Sequence, residues 1–296
     1  MLKIKKIRYA IRCLYKKFDR FHDSCPSCSS TNYKIIRSKE FIKFPTSLRH
    51  CDECLLLYRH PTTLENESKK FYEKEYSQKG LTTDLPNLDE LKNLMATNFK
   101  NSEKDFSFFF PFFYEISKKL GRKIKILDYG SNWGYLIYQL KSLDFVDIAM
   151  GYEYSKVMRS YGERYLKVKY INEDEFNNQF DVIFSSHTIE HMFNPSIFKS
   201  HIEKLTRDGY CIITCPNGSL NALFENPTSW RSLWGEVHPN FISDEYLINQ
   251  FYDYEGGVFS LPKYDIDISF YLKNLTLPPC SFLPKEGSLL AIFKKI

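Results

Sequence analysis

Four of the eight cysteines fall in two close pairs, Cys25-Pro-Ser-Cys28 and Cys51-Asp-Glu-Cys54, with 22 residues between the pairs. Each C-x-x-C turn presents two thiolates from one side, and two such knuckles supply the tetrahedral sulfur set that Zn²⁺ prefers. Four protein sulfurs leave no open coordination position, so the expected role is structural. A redox C-x-x-C stands singly ahead of a helix, and disulfides are rare in reducing compartments, so the paired pattern fits zinc better than either. Cys13, Cys211, Cys215 and Cys280 have no partner pattern, and Cys211 and Cys215, in the run YCIITCP, read as small buried hydrophobes.

A second constellation is Ile126-Leu127-Asp128-Tyr129-Gly130-Ser131-Asn132-Trp133-Gly134. An apolar strand runs into an acid, then into a glycine-containing turn and a helix. Gly130 lets the strand end abruptly and lets backbone approach a ligand. A carboxylate at Asp128 would repel a pyrophosphate and welcome an amine or another cation. Glu153 closes the next apolar run, IAMGYE, 19 residues past Gly134. An acid at the end of a second strand accepts hydrogen bonds from two ribose hydroxyls. Glu173 and Asp174 follow a third run, and either is a candidate for an adenine amino group.

Three histidines also follow apolar runs: His187 and His191 in SSHTIEH, and His238 in WGEVHPNF. Ligands of open α/β sheets lie beyond the carboxyl ends of the strands, which is where these residues map. Glu190 and His191 read equally well as a structural tie of their loop, and His238 as a loop anchor held by Trp234. His187, Glu190 and His191, at i, i+3 and i+4, have a spacing that gathers metals but lack a fourth partner. Trp230, Trp234 and Phe241 suit either a pocket wall or a core. The run Phe108–Tyr114 reads as a packing surface or as part of a lid.

In order, LDYGSNWG, GYEYS, FDVIFSSHTIEHMFNP, LTRDGYCIITCPN and WGEVHPNFIS resemble the elements of class I S-adenosylmethionine (SAM)-dependent methyltransferases over residues 120–296. The usual middle glycine of the loop is Asn132 here, and Asn tolerates left-handed backbone better than other non-glycine residues. The resemblance implies SAM as cofactor, held by Asp128, Gly130, Asn132, Gly134, Glu153, Tyr154, Glu173 or Asp174, and His187. It makes His238 the first choice for positioning an acceptor or taking its proton, and His191 the second. With CPSC…CDEC, LYRHP and FYEKEY ahead of it, the chain looks like bacterial methyltransferases with an N-terminal zinc module, several of which act on sugars or other small intermediates. That implies a small-molecule acceptor, with a sugar or sugar nucleotide leading. The alternatives are an RNA methyltransferase that grips its substrate through the zinc module, and a non-catalytic adaptor. A nicotinamide dehydrogenase fits poorly, because the loop lacks G-x-G-x-x-G.

The elements that must position these residues follow from the apolar patterning. Strands are expected at 124–129, 147–152, 167–171, 180–185, 209–215, 264–272 and 288–294. Helices are expected at 134–142, 155–165, 195–206 and 243–251. The fold class is α/β: a Rossmann-like, mostly parallel sheet with an antiparallel last strand, preceded by a zinc ribbon and a helical linker. Residues 1–22 form a basic helix, 23–60 the zinc-binding module, 61–120 a helical linker or lid, and 121–296 the SAM-binding domain. Within the linker, helices are expected over 65–76 and 88–120, the second bent or split by Pro111.

Of 296 residues, 43% are hydrophobic and 17% aromatic, enough for a large core and incompatible with disorder throughout. The most apolar run, 106–113, is far short of the ~20 residues that span a bilayer, and the N-terminus lacks a secretory pattern, so the cytoplasm is the expected compartment. Net charge is +5, yet residues 1–20 hold eight Lys/Arg against Asp19, which leaves the body slightly acidic. That argues against a nucleic-acid-binding body. Ile4, Ile7, Ile11 and Leu14 give the arm one apolar face, expected to pack on the body; contact with a membrane surface or an acidic partner is the alternative.

Overall fold

The protein is described by a computed structural model that covers residues 2–18, 22–36, 45–74, 84–176, 180–234, 238–261, 268–282 and 287–296. Helix α1 (Leu2–Lys16) precedes an antiparallel ribbon of β1 (Tyr33–Ile36), β2 (Ser47–Cys51) and β3 (Leu57–His60). Three helices follow: α2 (Glu65–Lys74), α3 (Leu88–Ala96) and α4 (Phe110–Leu120). Asn87 and Glu90 close a capping box on α3. Pro111 does not bend a single long helix. It sits in the first turn of α4, where its missing N–H costs nothing, and residues 97–106 turn between the two helices.

Alternating units then build the main sheet: β4 (Ile124–Tyr129), α5 (Tyr135–Leu140), β5 (Val146–Tyr152), α6 (Lys156–Tyr161), β6 (Phe180–Ser186), α7 (Ile197–Ile202) and β7 (Leu205–Pro216). The chain continues through α8 (Leu220–Glu225), α9 (Pro227–Trp230), β8 (Asn240–Phe241), α10 (Asp244–Gln250), β9 (Glu255–Ser260), α11 (Ile268–Lys273), β10 (Cys280–Ser281) and β11 (Ser288–Lys294). The strand order is β10-β9-β11-β7-β6-β4-β5. Strands β5, β4, β6 and β7 are parallel, and β11 lies antiparallel between β7 and β9, as the Rossmann-like expectation requires.

Side chains alternate between two cores, one on each face of this sheet. Ile124 and Ile126 of β4, Val182 and Phe184 of β6, and Leu290 and Ile292 of β11 join Phe109, Phe112, Phe113 and Ile116 around α4. Leu127 and Tyr129, Ile183, Ala291 and Phe293 face the other way, toward Tyr246 and Leu247 of α10. The aromatic run at 108–114 is thus mainly a packing surface. Below the sheet, Asp181 accepts a two-pronged bond from Arg122 and further bonds from the Lys125 N–H and the Thr206 hydroxyl, tying β4, β6 and β7 together.

Three expectations need correction. The strand placed at 167–171 is reduced to a single bridge, Gly151 to Tyr170, because the chain leaves α6 through a wide turn (162–166) that ends in left-handed Lys167. The strand placed at 264–272 is partly the helix α11, while 262–267 lie outside the described residues. The strand beside β11 is instead β9, whose Gly256 hides it from apolar patterning; a Cβ there would come within 2.3 Å of the Phe293 ring. Finally, α1 does not bury Ile11, which is 48% exposed; the helix packs through Cys13.

The ribbon does not stand apart from residues 121–296. Strand β3 pairs antiparallel with β8, Leu57 opposite Phe241 and Tyr58 opposite Asn240. Cys25, Cys51, Cys54, Leu56 and Tyr58 share the α10-side core, and the Ser27 hydroxyl bonds the Tyr246 hydroxyl at 3.0 Å. Leu48 and Leu57 pack with Leu223, Trp230 and Phe241 in a third cluster.

Candidate functional site

A cavity of about 570 Å³ opens beyond the carboxyl ends of β4, β5 and β6, where an open parallel sheet places its ligands. The turn after β4 forms one part of its wall. Gly130, Asn132 and Gly134 all adopt left-handed backbone, at φ of 82°, 51° and 81°. A side chain at Gly130 would strike Thr188, whose Oγ1 would lie 2.1 Å from the added Cβ. The Asn132 side chain folds back, its Oδ1 accepting from the Trp133 N–H at 2.8 Å, so the change from glycine keeps the turn conformation.

Glu153, at the end of β5, is fixed from both sides. Its Oε2 accepts from the Asn132 N–H at 2.9 Å and its Oε1 from the Ser155 N–H at 2.8 Å. Each oxygen keeps a further lone pair, which suits a pair of hydroxyl donors. Burial raises the Glu153 pKa, offset in part by these backbone donors. Asp128 is buried behind the wall, and burial, followed by the Glu153 charge, pushes its carboxyl up to about 8. Two neighbouring acids of raised pKa, beside a glycine turn that admits backbone contact, fit a ligand carrying ribose hydroxyls and a positive charge.

The loop after β6 and the segment before β8 supply a second group. His191 and His238, 47 positions apart in sequence, lie with ring centroids 4.5 Å apart, and both line the cavity. Glu190 is buried beside them, 3.9 Å from His191 Nε2 and 3.4 Å from His187 Nδ1. Burial raises the Glu190 pKa, but the neighbouring histidines outweigh it and the net shift is downward. The Glu190 contact raises the pKa of His187, itself in left-handed backbone at φ 52°. His238 Nδ1 bonds the Leu233 carbonyl at 3.0 Å. Burial first, then His191, lowers the His238 pKa to about 4. Ligand atoms of Glu190, His191 and His238 fall within 4.8 Å of one another. The Asn240 side chain, next to this group, donates to the Met192 carbonyl at 2.6 Å and joins the two segments.

Other sequence candidates sit elsewhere. Tyr154 lines the cavity, whereas Gly134, Glu173 and Asp174 do not. Glu173 instead accepts from His201 Nε2 at 3.2 Å, and His201 Nδ1 meets the Tyr129 hydroxyl at 2.9 Å. Trp230, Trp234 and Phe241 stack on one another under the ribbon, outside the cavity wall. Gly235, Glu236 and Val237 of the WGEVHPNFIS run, and Glu75 and Tyr76 of FYEKEY, lie outside the described residues. Sequence reasoning missed Ser68 and Lys69 of α2 and Lys104 and Phe106, which line the cavity; only the broad lid expectation for 61–120 pointed toward them.

The four paired cysteines form a separate cluster. Sγ–Sγ distances are 3.5 Å for Cys25–Cys54 and for Cys28–Cys51, with all four sulfurs within 4.8 Å. A tetrahedron with zinc–sulfur bonds of ~2.3 Å needs sulfurs about 3.8 Å apart, so the set fits that ion. The knuckles match locally: left-handed Ser29 and Leu55 follow the second cysteine of each pair and donate to the first cysteine's carbonyl.

The sheet order, the glycine turn and the paired acids define a Rossmann-like cofactor-binding enzyme. A methyltransferase-domain family model matches residues 102–255, more than half the chain, and the protein belongs to that family: it is a SAM-dependent methyltransferase. No curated protein matches its sequence. Among solved structures it is similar to the plantazolicin methyltransferase BamL in complex with a triazolic desmethylPZN analog and SAH. The identity is 14%, over 77% of this chain and 94% of that one, with a TM-score of 0.51. It is also similar to a SAM-dependent methyltransferase from Mesorhizobium loti, at 12% identity over 62% of this chain and 97% of that one, TM-score 0.42. The similarity to BamL is one of fold.

Two outcomes are expected at the acid pair. Glu153→Ala lowers affinity for S-adenosylhomocysteine about tenfold or more in calorimetric titration, the loss of hydrogen bonds to a charged acceptor; unchanged affinity removes Glu153 from the cofactor site. Asp128 keeps its proton up to about 8 when folded and releases it near 4 when unfolded, so this group costs stability as pH rises between those values. Asp128→Asn, which mimics the protonated form, should gain on the wild type as pH rises, its melting temperature lying about 3 °C or more further above the wild type's near pH 9 than near pH 5.

Proposed function

We propose that the protein transfers a methyl group from SAM to a small biosynthetic acceptor, a sugar or sugar nucleotide of a surface-polysaccharide or natural-product pathway. The observation that carries this reading is one cavity whose wall includes both Glu153 with the left-handed turn and the His191–His238 pair. Its volume lies in the range of small-molecule sites. Hydroxyl and amine side chains in the wall, Ser68, Lys69 and Ser186 among them, suit a polar acceptor.

Glu153 would receive the ribose hydroxyls, and Gly130 and Asn132 would let the backbone lie against the cofactor, with Tyr154 and His187 beside it; Gly134, packed on Val168 and Tyr170, would shape the turn from behind. Asp128, neutral behind the turn below about pH 8, would give up its proton more readily once the cofactor's positive charge lies nearby. Glu173 is engaged by His201, and neither it nor Asp174 is given a cofactor role in this reading. When bound, SAM supplies a methyl group made electrophilic by its sulfonium. The chain's remaining work is to orient the acceptor, exclude water and accept a proton.

His238 is placed for the last task. Its Nδ1–H donates to the Leu233 carbonyl, which leaves the Nε2 lone pair as the base. Its lowered pKa keeps the ring neutral at physiological pH. An acceptor hydroxyl would pass its proton to His238 Nε2 while its oxygen takes the methyl carbon from the sulfonium sulfur, which leaves as a thioether, and the buried Glu190 carboxylate would offset the positive charge on the ring. His191, its ring tilted against that of His238, positions the same acceptor group.

The cysteine cluster holds structural Zn²⁺ in this reading. Through β3 and β8 it fixes the segment that carries His238: the Arg59 N–H donates to the Pro239 carbonyl at 2.8 Å.

His238→Ala should lower kcat by roughly 10²–10⁴-fold with S-adenosylhomocysteine affinity unchanged; wild-type turnover in this variant would end its catalytic role. Purified protein should carry one zinc per chain by elemental analysis. Cys28→Ser should lose the metal and lower the melting temperature; a metal-free wild type with an unaltered melt would refute structural zinc.

A further inference from the structure

The N-terminal helix carries an apolar stripe that the fold leaves outside. Ile11 and Tyr15, at i and i+4 on one face of α1, and Phe18, in the turn that follows the helix, are 48%, 79% and 86% exposed. The helix meets the body through other positions. Cys13 is buried, the Tyr9 ring lies under the Arg59 guanidinium at 5.5 Å, and Lys16 pairs with Glu67 of α2 at 2.5 Å. The aromatic and aliphatic residues therefore are not needed to hold α1 in place.

Charge identifies what would cover the stripe. Residues 2–18 contain seven Lys or Arg and no acid, while the rest of the chain is slightly acidic. A helix with exposed aromatic and aliphatic side chains on one face and cations around it is the chemistry of a helix lying in an anionic bilayer surface. Aromatic rings settle at the headgroup level, and Lys and Arg reach the phosphates. A nucleic acid would engage the cations but leave Ile11 in water. No helix among the described residues is long and apolar enough to cross a membrane, so the contact is peripheral.

We propose that α1 docks the protein on anionic membrane surfaces. Lys16 of this helix pairs with Glu67 of α2, which also supplies Ser68 and Lys69 to the cavity wall.

Sedimentation of the full-length protein with vesicles tests this. Vesicles of phosphatidylcholine with a third phosphatidylglycerol should bind about tenfold more protein than pure phosphatidylcholine, and added salt should reverse the binding. The double variant Tyr15→Ser, Phe18→Ser should lose about tenfold in binding to the anionic vesicles while its melting temperature and S-adenosylhomocysteine affinity stay unchanged. Equal binding to both vesicle types, binding that the double variant retains, or binding to polyglutamate or RNA without vesicle binding would each overturn the proposal. The last result would assign the helix to an acidic macromolecule.

Discussion

Two residue pairs, Leu57–Phe241 and Tyr58–Asn240, join the cysteine ribbon to the segment ahead of α10. This short antiparallel seam decides much of the architecture. Backbone groups in the seam must be paired because the strands on both sides are buried. Once paired, they bring the knuckles onto the α10-side core and put His238 two residues from a strand held in the seam. The Asn240 side chain, bonded to the Met192 carbonyl, extends the seam to the loop after β6. The result is that His191 and His238 face one another although neither belongs to the other's element.

A comparable constraint holds the cofactor end. Glu153 does not wait in solvent for a ligand; two backbone N–H groups fix its carboxylate, one of them from the opposite turn. The turn after β4 and the end of β5 thus become one unit. The cost is one buried acid beside a half-buried one, and both carboxyls respond with raised pKa values. A positive charge bound beside them would lower both values.

The parts of the fold with strong apolar runs could be read directly. Strands β4, β5, β6, β7 and β11 lie inside the sheet or against its helices and announce themselves as continuous hydrophobic segments. Strand β9 could not be read, because Gly256 and Gly257 remove its pattern to make room for aromatic rings. The segment at 167–171 has the right composition, but a left-handed residue at Lys167 leaves too little straight chain to pair. In the site, the glycine turn, Glu153 and the cysteine knuckles were visible as local motifs. The meeting of His191 with His238 was not, since it depends on a seam of two residue pairs. Nor were Ser68, Lys69 and Lys104, which reach the cavity from helices and turns whose direction only packing decides.

Asn132 in place of glycine has a consequence for how the loop behaves before any ligand binds. Glycine gives an unfolded or open loop many conformations to lose, and Asn gives fewer. Here the Asn side chain also closes on the next N–H, so the loop is locked from within as well as by Glu153. Less of the ligand's interaction energy goes into ordering backbone, and more appears as affinity. The same locking narrows what the loop can accommodate: a turn that does not reshape selects its ligand by fit and tolerates few substitutes.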